Sequence, residues 1–172
     1  MSQRGFTLVE LMVVVALIAL LMVWGIPAYS TWNSRQNVEG EIGRLYSDLQ
    51  FARMTAYSNK NLTGIYWGGG TNLTQYSIET NTNTDATSID DPAVTKPLGA
   101  TVSTGKFPIT ATQNQKSVSF DGRGLLYTGD TNDPATQVTF YITPNYGAGT
   151  NCVAVSLTSI VSGKWDGTNC NP

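Results

Sequence analysis

The chain has 172 residues, of which 41% are hydrophobic and 13% are charged, and its formal net charge is −2. This length suits one globular domain with a long additional element, and the charge gives no sign of a polyanionic partner such as nucleic acid. The sequence contains no His, so the commonest general base and the commonest transition-metal ligand are absent.

The N-terminal segment is dominated by an apolar run. Residues 11–28 contain no charged side chain, and as a helix they cover about 27 Å, close to the roughly 30 Å hydrocarbon core of a bilayer. Arg4 precedes the run, and a positive charge there favours a cytoplasmic N-terminus. We therefore predict a transmembrane helix over residues 6–28.

Glu10 is the acid that interrupts this apolar pattern. A carboxylate in hydrocarbon costs a few kcal/mol, so it requires a positive partner. A cut between Gly5 and Phe6 would create an α-amino group four residues before Glu10, one helical turn away. In a bundle of helices, Glu10 would pair with the amine of a neighbouring copy, which offsets the desolvation of both charges and sets the axial register.

Two other interpretations of this segment stay open. A secretory signal peptide cleaved near Ala28 normally has a shorter apolar core, and Glu10 interrupts the start of this one. A simple single-span anchor would leave Glu10 without a role. A lipoprotein signal is excluded, because no Cys directly follows the apolar run.

The N-terminal residues also resemble a known signal. The resemblance rests on Gly5-Phe6-Thr7-Leu8-Val9-Glu10-Leu11 and on Gly25-Ile26-Pro27, which are similar to the class III signal of type IV pilins and type II secretion pseudopilins. It implies that residues 1–5 are a leader removed by a prepilin peptidase, that Phe6 is N-methylated and that Glu10 guides assembly. It also implies that Pro27 kinks the helix, since proline removes a backbone hydrogen bond.

The helical pattern continues over residues 29–60. Apolar side chains recur at steps of four and three and form one stripe: Val38, Ile42, Leu45, Leu49, Ala52 and Ala56. The charged side chains of this half lie off the stripe: Glu41, Arg44, Asp48 and Arg53. We predict one helix from about Phe6 to about Ser58 whose outer half packs on a globular head. A coiled coil with a partner is the alternative, although only about three heptads are present.

Residues 61–172 are predicted to form a β-rich head. Strands are predicted over residues 62–67, 73–79, 106–109, 117–120, 124–128, 137–143, 152–157 and 159–165. Gly68-Gly69-Gly70 is predicted to be the turn between the first two, and the last two form a closing hairpin. The expected fold class is α+β, with a long N-terminal helix packed on an antiparallel β-sheet head.

Residues 81–97 are polar and are predicted to form a long exposed loop. Asp85, Asp90 and Asp91 offer carboxylates to a calcium ion, but they lack the ligand spacing of a calcium loop. We predict no metal and no cofactor. We also predict no catalytic residue and no enzymatic activity, because the sequence has no Cys–His pair, no phosphate-binding Gly-Lys-Ser/Thr loop and no paired carboxylates.

The head half resembles the GspH/FimT branch of the pilin family in three segments: Leu49–Ala56 with its Ala-Arg pair, Ser119–Gly124 and Cys152–Ser156. Cys152 and Cys170 allow one disulfide, which requires an oxidising compartment, and two free thiols are the alternative. Such a bridge closes a loop of about eighteen residues and contributes roughly 3 kcal/mol. It would resemble the C-terminal disulfide loop of many pilins.

The resemblance implies a structural subunit, a minor pilin or pseudopilin of a type IV pilus or a type II secretion pseudopilus. Its expected partners are other pilin subunits, the prepilin peptidase and the inner-membrane assembly platform. The expected location is the inner membrane, with a periplasmic head, before assembly and the filament afterwards.

The alternative is a DNA-binding minor pilin of a DNA-uptake pilus. Residues 6–172 carry nine basic side chains (the ten of the whole sequence without Arg4) against twelve acidic ones. Gly163-Lys164-Trp165 has one cation where some members have an Arg-rich turn. Nucleic-acid binding is therefore not expected, because it needs clustered cations.

Overall fold

The computed structural model describes residues 7–81, 95–97, 102–103, 107–113, 116–127 and 137–172. Its first element is helix α1, Leu8–Asn59, which has 52 residues. The predicted long helix is thereby confirmed. Lys60 caps the C-terminus of α1, and its φ of 56° and ψ of 25° lie in the left-handed region that commonly terminates helices. Within the described residues, no helix combines the length and the apolar character needed to cross a membrane.

The predicted apolar stripe is the face of α1 that packs on the head. All six of its side chains, from Val38 to Ala56, are fully buried. They share the core with residues of both sheets, among them Ile65, Tyr76 and Phe140. The stripe is therefore covered by the head of its own chain, as predicted, and a coiled coil is not needed to bury it.

The head is made of two antiparallel sheets. Its strands are β1 Thr63–Tyr66, β2 Asn72–Leu73, β3 Gln75–Asn81, β4 Thr95–Pro97, β5 Val102–Ser103, β6 Ile109–Ala111, β7 Ser117–Phe120, β8 Gln137–Tyr141, β9 Cys152–Ser156, β10 Ile160–Trp165 and β11 Cys170–Asn171. The first sheet has the order β4-β3-β1-β7, with β5 also paired to β3, and the second has the order β11-β10-β9-β8-β6-β2. The predicted strand at 117–120 and the closing hairpin of β9 and β10 are confirmed.

The predicted strand at 73–79 is wrong as a single element. Leu73 belongs to β2, which pairs with β6 in the second sheet, whereas Gln75–Asn81 pairs with β1 in the first. Gly68, Gly69 and Gly70 all have positive φ, and they form the first part of a longer connection, residues 67–74, that visits the second sheet. Alternation alone could not reveal this change of sheet, since β2 and β3 are separated only by Thr74.

Three further expectations need correction. Asn81 and Thr95–Pro97 are strand residues paired within the first sheet, so the exposed loop expected over 81–97 is wrong at both ends. The strand expected at 106–109 is found at Ile109–Ala111, and Lys106 lies outside the described residues. In place of the strand expected at 124–128, the described residues, which end at Tyr127 in this segment, show one isolated bridge between Phe120 and Leu126.

Candidate assembly site

The helix N-terminus is capped by Thr7. Thr7 has an extended backbone, its hydroxyl accepts a hydrogen bond from the Glu10 N–H at 3.2 Å, and its carbonyl accepts one from the Leu11 N–H at 3.2 Å. Glu10 therefore lies in the first turn of α1, where a negative charge is favoured by the helix dipole. The Thr-x-x-Glu spacing in the sequence is the signal that predicts such a cap.

The N-terminal half of α1 is an exposed apolar surface. Its large apolar side chains are exposed over much of their area, from Leu8 at 75% to Trp32 at 57%. From residue 11 to residue 34 no side chain is charged, so Glu10 is the acid of this surface. A soluble monomer rarely leaves so large an apolar surface in water, which indicates that another hydrophobic phase or another protein covers it.

The other predicted processing residues are only partly located. Gly5 and Phe6 lie outside the described residues. α1 continues through Pro27, and the predicted kink there stays a prediction.

Asp85, Asp90 and Asp91 also lie outside the described residues, and the described ones contain no group of side chains that could hold a metal ion.

Glu39 ties the start of the buried half of α1 to the head. Its Oε1 atom accepts a hydrogen bond from the Gly149 N–H at 2.8 Å and one from the Arg35 Nε at 3.1 Å. The pKa of Glu39 lies below its usual value, because the Gly149 N–H and, to a smaller extent, Arg35 stabilise the carboxylate. A single carboxylate therefore joins the helix to the loop before β9.

Asp48 and Arg53 make further contacts between helix and head. The Tyr76 hydroxyl donates to Asp48 Oδ2 at 2.7 Å, and burial together with this carboxylate raises the pKa of Tyr76 far above its usual range. Arg53 donates to the carbonyls of Gly124 at 2.7 Å and Thr158 at 2.9 Å. Both residues lie off the apolar stripe, and the sequence pattern did not indicate these contacts. Each adjoins a stripe residue in sequence, about 100° further round the helix, and so can reach the head.

The turn that receives Arg53 is held by Asp121. Its carboxylate accepts hydrogen bonds from the N–H groups of Arg123 at 2.9 Å and Leu125 at 3.0 Å. Despite partial burial, these bonds lower the pKa of Asp121. Gly124, with φ of 77°, completes the turn in a conformation that favours glycine. The bonds that close this turn account for the failure of the strand expected at 124–128.

The C-terminal tail is fixed by a disulfide. Cys152 on β9 is bonded to Cys170 on β11, and β11 pairs with the end of β10. Asp166 accepts hydrogen bonds from the N–H groups of Thr168 and Asn169 and shapes the intervening turn. The predicted Cys pairing is confirmed, and the alternative of two free thiols is excluded.

Two models of known protein families match parts of this chain. A family model described as the prokaryotic N-terminal methylation motif matches residues 1–26, and one described as type II transport protein GspH matches residues 41–159. The chain belongs to the GspH family. The pilin-type resemblance recognised in the sequence and the α+β fold class are therefore confirmed.

Two relatives resemble part of this GspH-family chain. The type IV major fimbrial protein FimA of Dichelobacter nodosus (strain VCS1703A) is 32% identical over 85 residues, which are 45% of this chain and 51% of FimA. The prepilin peptidase-dependent protein D of Escherichia coli (strain K12) is 63% identical over 31 residues, 18% of this chain and 21% of that protein. The chain thus spans about half, or less, of the length of these relatives.

One solved structure shares the fold of this GspH-family chain. The crystal structure of the type IV minor pilin FimU of Pseudomonas aeruginosa (strain PAO1) superposes with a TM-score of 0.53 at 18% identity, and the match covers 73% of this chain and 92% of that chain. This likeness establishes the architecture of helix and head.

Proposed function

We propose that this GspH-family chain is a structural filament subunit, a minor pilin or pseudopilin of a type IV pilus or type II secretion pseudopilus. One observation carries the proposal. The stripe from Val38 to Ala56 is fully buried against the head of its own chain, whereas the N-terminal half of α1 leaves an apolar surface exposed with a single acid at its start. A helix of this kind is suited to transfer from a membrane into a bundle of identical helices.

The proposed sequence of events begins in the inner membrane. Residues 6–28 lie in the bilayer with the head in the periplasm, and the prepilin peptidase removes residues 1–5 and methylates Phe6. Subunits then enter the filament through the inner-membrane assembly platform. In the bundle, Glu10 pairs with the α-amino group of Phe6 on a neighbouring subunit, because two opposite charges in an apolar environment are far less costly as a pair than singly.

Processing is tested by mass spectrometry of the chain from cells with and without prepilin peptidase. We expect loss of residues 1–5 and a methyl group on Phe6 only where the peptidase is present. Full-length, unmodified protein in both strains would contradict the proposed processing.

Assembly is tested with Glu10→Ala, which we expect to stay in the membrane but to enter filaments poorly. Thr7→Ala is the matched control, because it removes the helix cap, at a cost of about 1 kcal/mol, and leaves the acid in place. Glu10→Asp keeps the charge and should retain part of the incorporation. Equal incorporation of Glu10→Ala and wild type would refute the pairing, and equal defects in Glu10→Ala and Thr7→Ala would reduce Glu10 to a capping residue.

A DNA-binding role is the weaker candidate. Lys164 is exposed at the end of β10, but it is the one cation of its segment, and the Trp165 ring is stacked on Tyr141 with centroids 4.4 Å apart. One face of the indole is thus already covered. A gel-shift titration at low salt without any bound DNA would end this alternative.

A further inference from the structure

An unassigned surface lies where the end of α1 meets the Asp121 turn. A shallow cavity of about 350 Å³ opens there. We call this region the Tyr57 surface; the residues that line the cavity are Gln50, Arg53, Met54, Tyr57, Arg123 and Gly124.

The cavity of the Tyr57 surface is lined by two of the exposed apolar side chains of the head. Met54 is 66% exposed and Tyr57 is 59% exposed. Isolated exposed apolar residues are normal, but two that line the same cavity are typical of a site that binds another molecule.

The same surface is positively charged, although the whole chain is negative. Arg53 is bonded to two carbonyls, and Lys60 donates to the Gly122 carbonyl at 3.2 Å and lies 3.8 Å from the Tyr57 ring centroid. Arg123 forms an ion pair with Asp121 at 2.8 Å. Among the described residues, Asp121 is the carboxylate that these three cations contact, so the local charge is about +2 against −2 for the chain.

We propose that the Tyr57 surface receives a segment of a neighbouring filament subunit that presents a carboxylate beside an aliphatic or aromatic side chain. The net positive charge of the three cations and the apolar side chains of Met54 and Tyr57 together select this chemistry, since the charge attracts the acid and the cavity removes the apolar group from water. The inference rests on the proposed function, because it takes the neighbour to be a filament subunit.

Two other partners fit the geometry less well. The surface has three cations, and Arg123 is already paired with Asp121, whereas nucleic acid requires several phosphate contacts along a strand. The membrane that would hold residues 6–28 lies too far away, because Met54 is about 39 Å along α1 from residue 28. Nucleic acid and lipid are therefore outcomes that the test must be able to detect.

Site-specific photo-cross-linking tests the proposal on the full chain in cells that assemble the filament. p-Benzoylphenylalanine replaces Met54, and in a matched control it replaces Tyr146, an exposed aromatic of the head that packs on Phe107. We expect a cross-link from position 54 to another filament subunit, mapped within a few residues of an Asp or Glu, and little from position 146. Equal yields at both positions, or cross-links to lipid or nucleic acid alone, would overturn the proposal.

Charge neutralisation supplies the second arm. Lys60→Gln combined with Arg123→Gln should lower the yield from position 54 about tenfold, because two of the three positive charges of the surface are lost. Formation of the Cys152–Cys170 bond and protease resistance report whether each variant folds. An unchanged yield in a folded double variant would refute the charge complementarity. Normal cleavage before Phe6 without a cross-link at 54 refutes this inference alone, whereas absent cleavage refutes the proposed function.

Discussion

The disulfide allows the stability of the head to be tested quantitatively. Replacing both Cys152 and Cys170 by Ala opens a loop with a sequence separation of 18 residues, and loop entropy assigns about 3 kcal/mol to its closure. Cys152 is fully buried, so Ala is preferred to Ser, and the lost sulfur adds about 1 kcal/mol. We therefore expect the free energy of unfolding to fall by about 4 kcal/mol, with a decrease in Tm of about 10 °C.

The measurement is guanidinium unfolding of the full chain in detergent micelles, followed by the fluorescence of Trp67 and Trp165, which are packed in the head. Reducing agent is the control, since it should destabilise the wild type by a similar amount and leave the double variant unchanged. A decrease in the free energy of unfolding of less than about 1 kcal/mol would show that the disulfide restricts the unfolded chain much less than loop entropy predicts.

Two further predictions concern the helix. Leu49→Ala should lower the free energy of unfolding by about 3 kcal/mol in the same assay, because Leu49 is fully buried. Gly43→Ala should raise it by up to about 1 kcal/mol, because a Cβ at residue 43 has no atom within 4 Å. Equal effects of the two substitutions would contradict the assignment of the buried stripe. The bond between Glu39 and Gly149 should be complete above the ordinary Glu pKa of 4.5 and be lost as the pH falls through the lowered pKa. Hydrogen exchange at the Gly149 amide should accelerate on acidification in the wild type relative to Glu39→Gln, and parallel profiles would refute this.

The helix and its buried face could be predicted from the sequence because both depend on local periodicity. The 3.6-residue repeat defines which side chains share a face, and a face that contains only Leu, Ile, Val and Ala has to be buried. Confirmation of all six stripe residues follows from this physics. The disulfide was equally accessible, since two cysteines allow a single pairing.

The strand pattern was less predictable because pairing is not a local property. Leu73 and Gln75 are two residues apart but belong to different sheets, and no residue type marks that change. Likewise, Leu126 resembles a strand residue, yet the hydrogen bonds that Asp121 accepts hold the chain before it in a turn. Glu39, Asp48 and Arg53 were missed as anchors for the same reason, because their partners are distant in sequence.

The arrangement of the stripe has a mechanical consequence for a fibre under tension. The buried contacts from Val38 to Ala56 extend over about 27 Å along the axis of α1, and the bonds of Glu39, Asp48 and Arg53 are distributed over the same length. A pull along that axis loads these contacts in parallel, as shear, so they must yield together. A pull across the axis would instead peel them apart one after another, at a much smaller force.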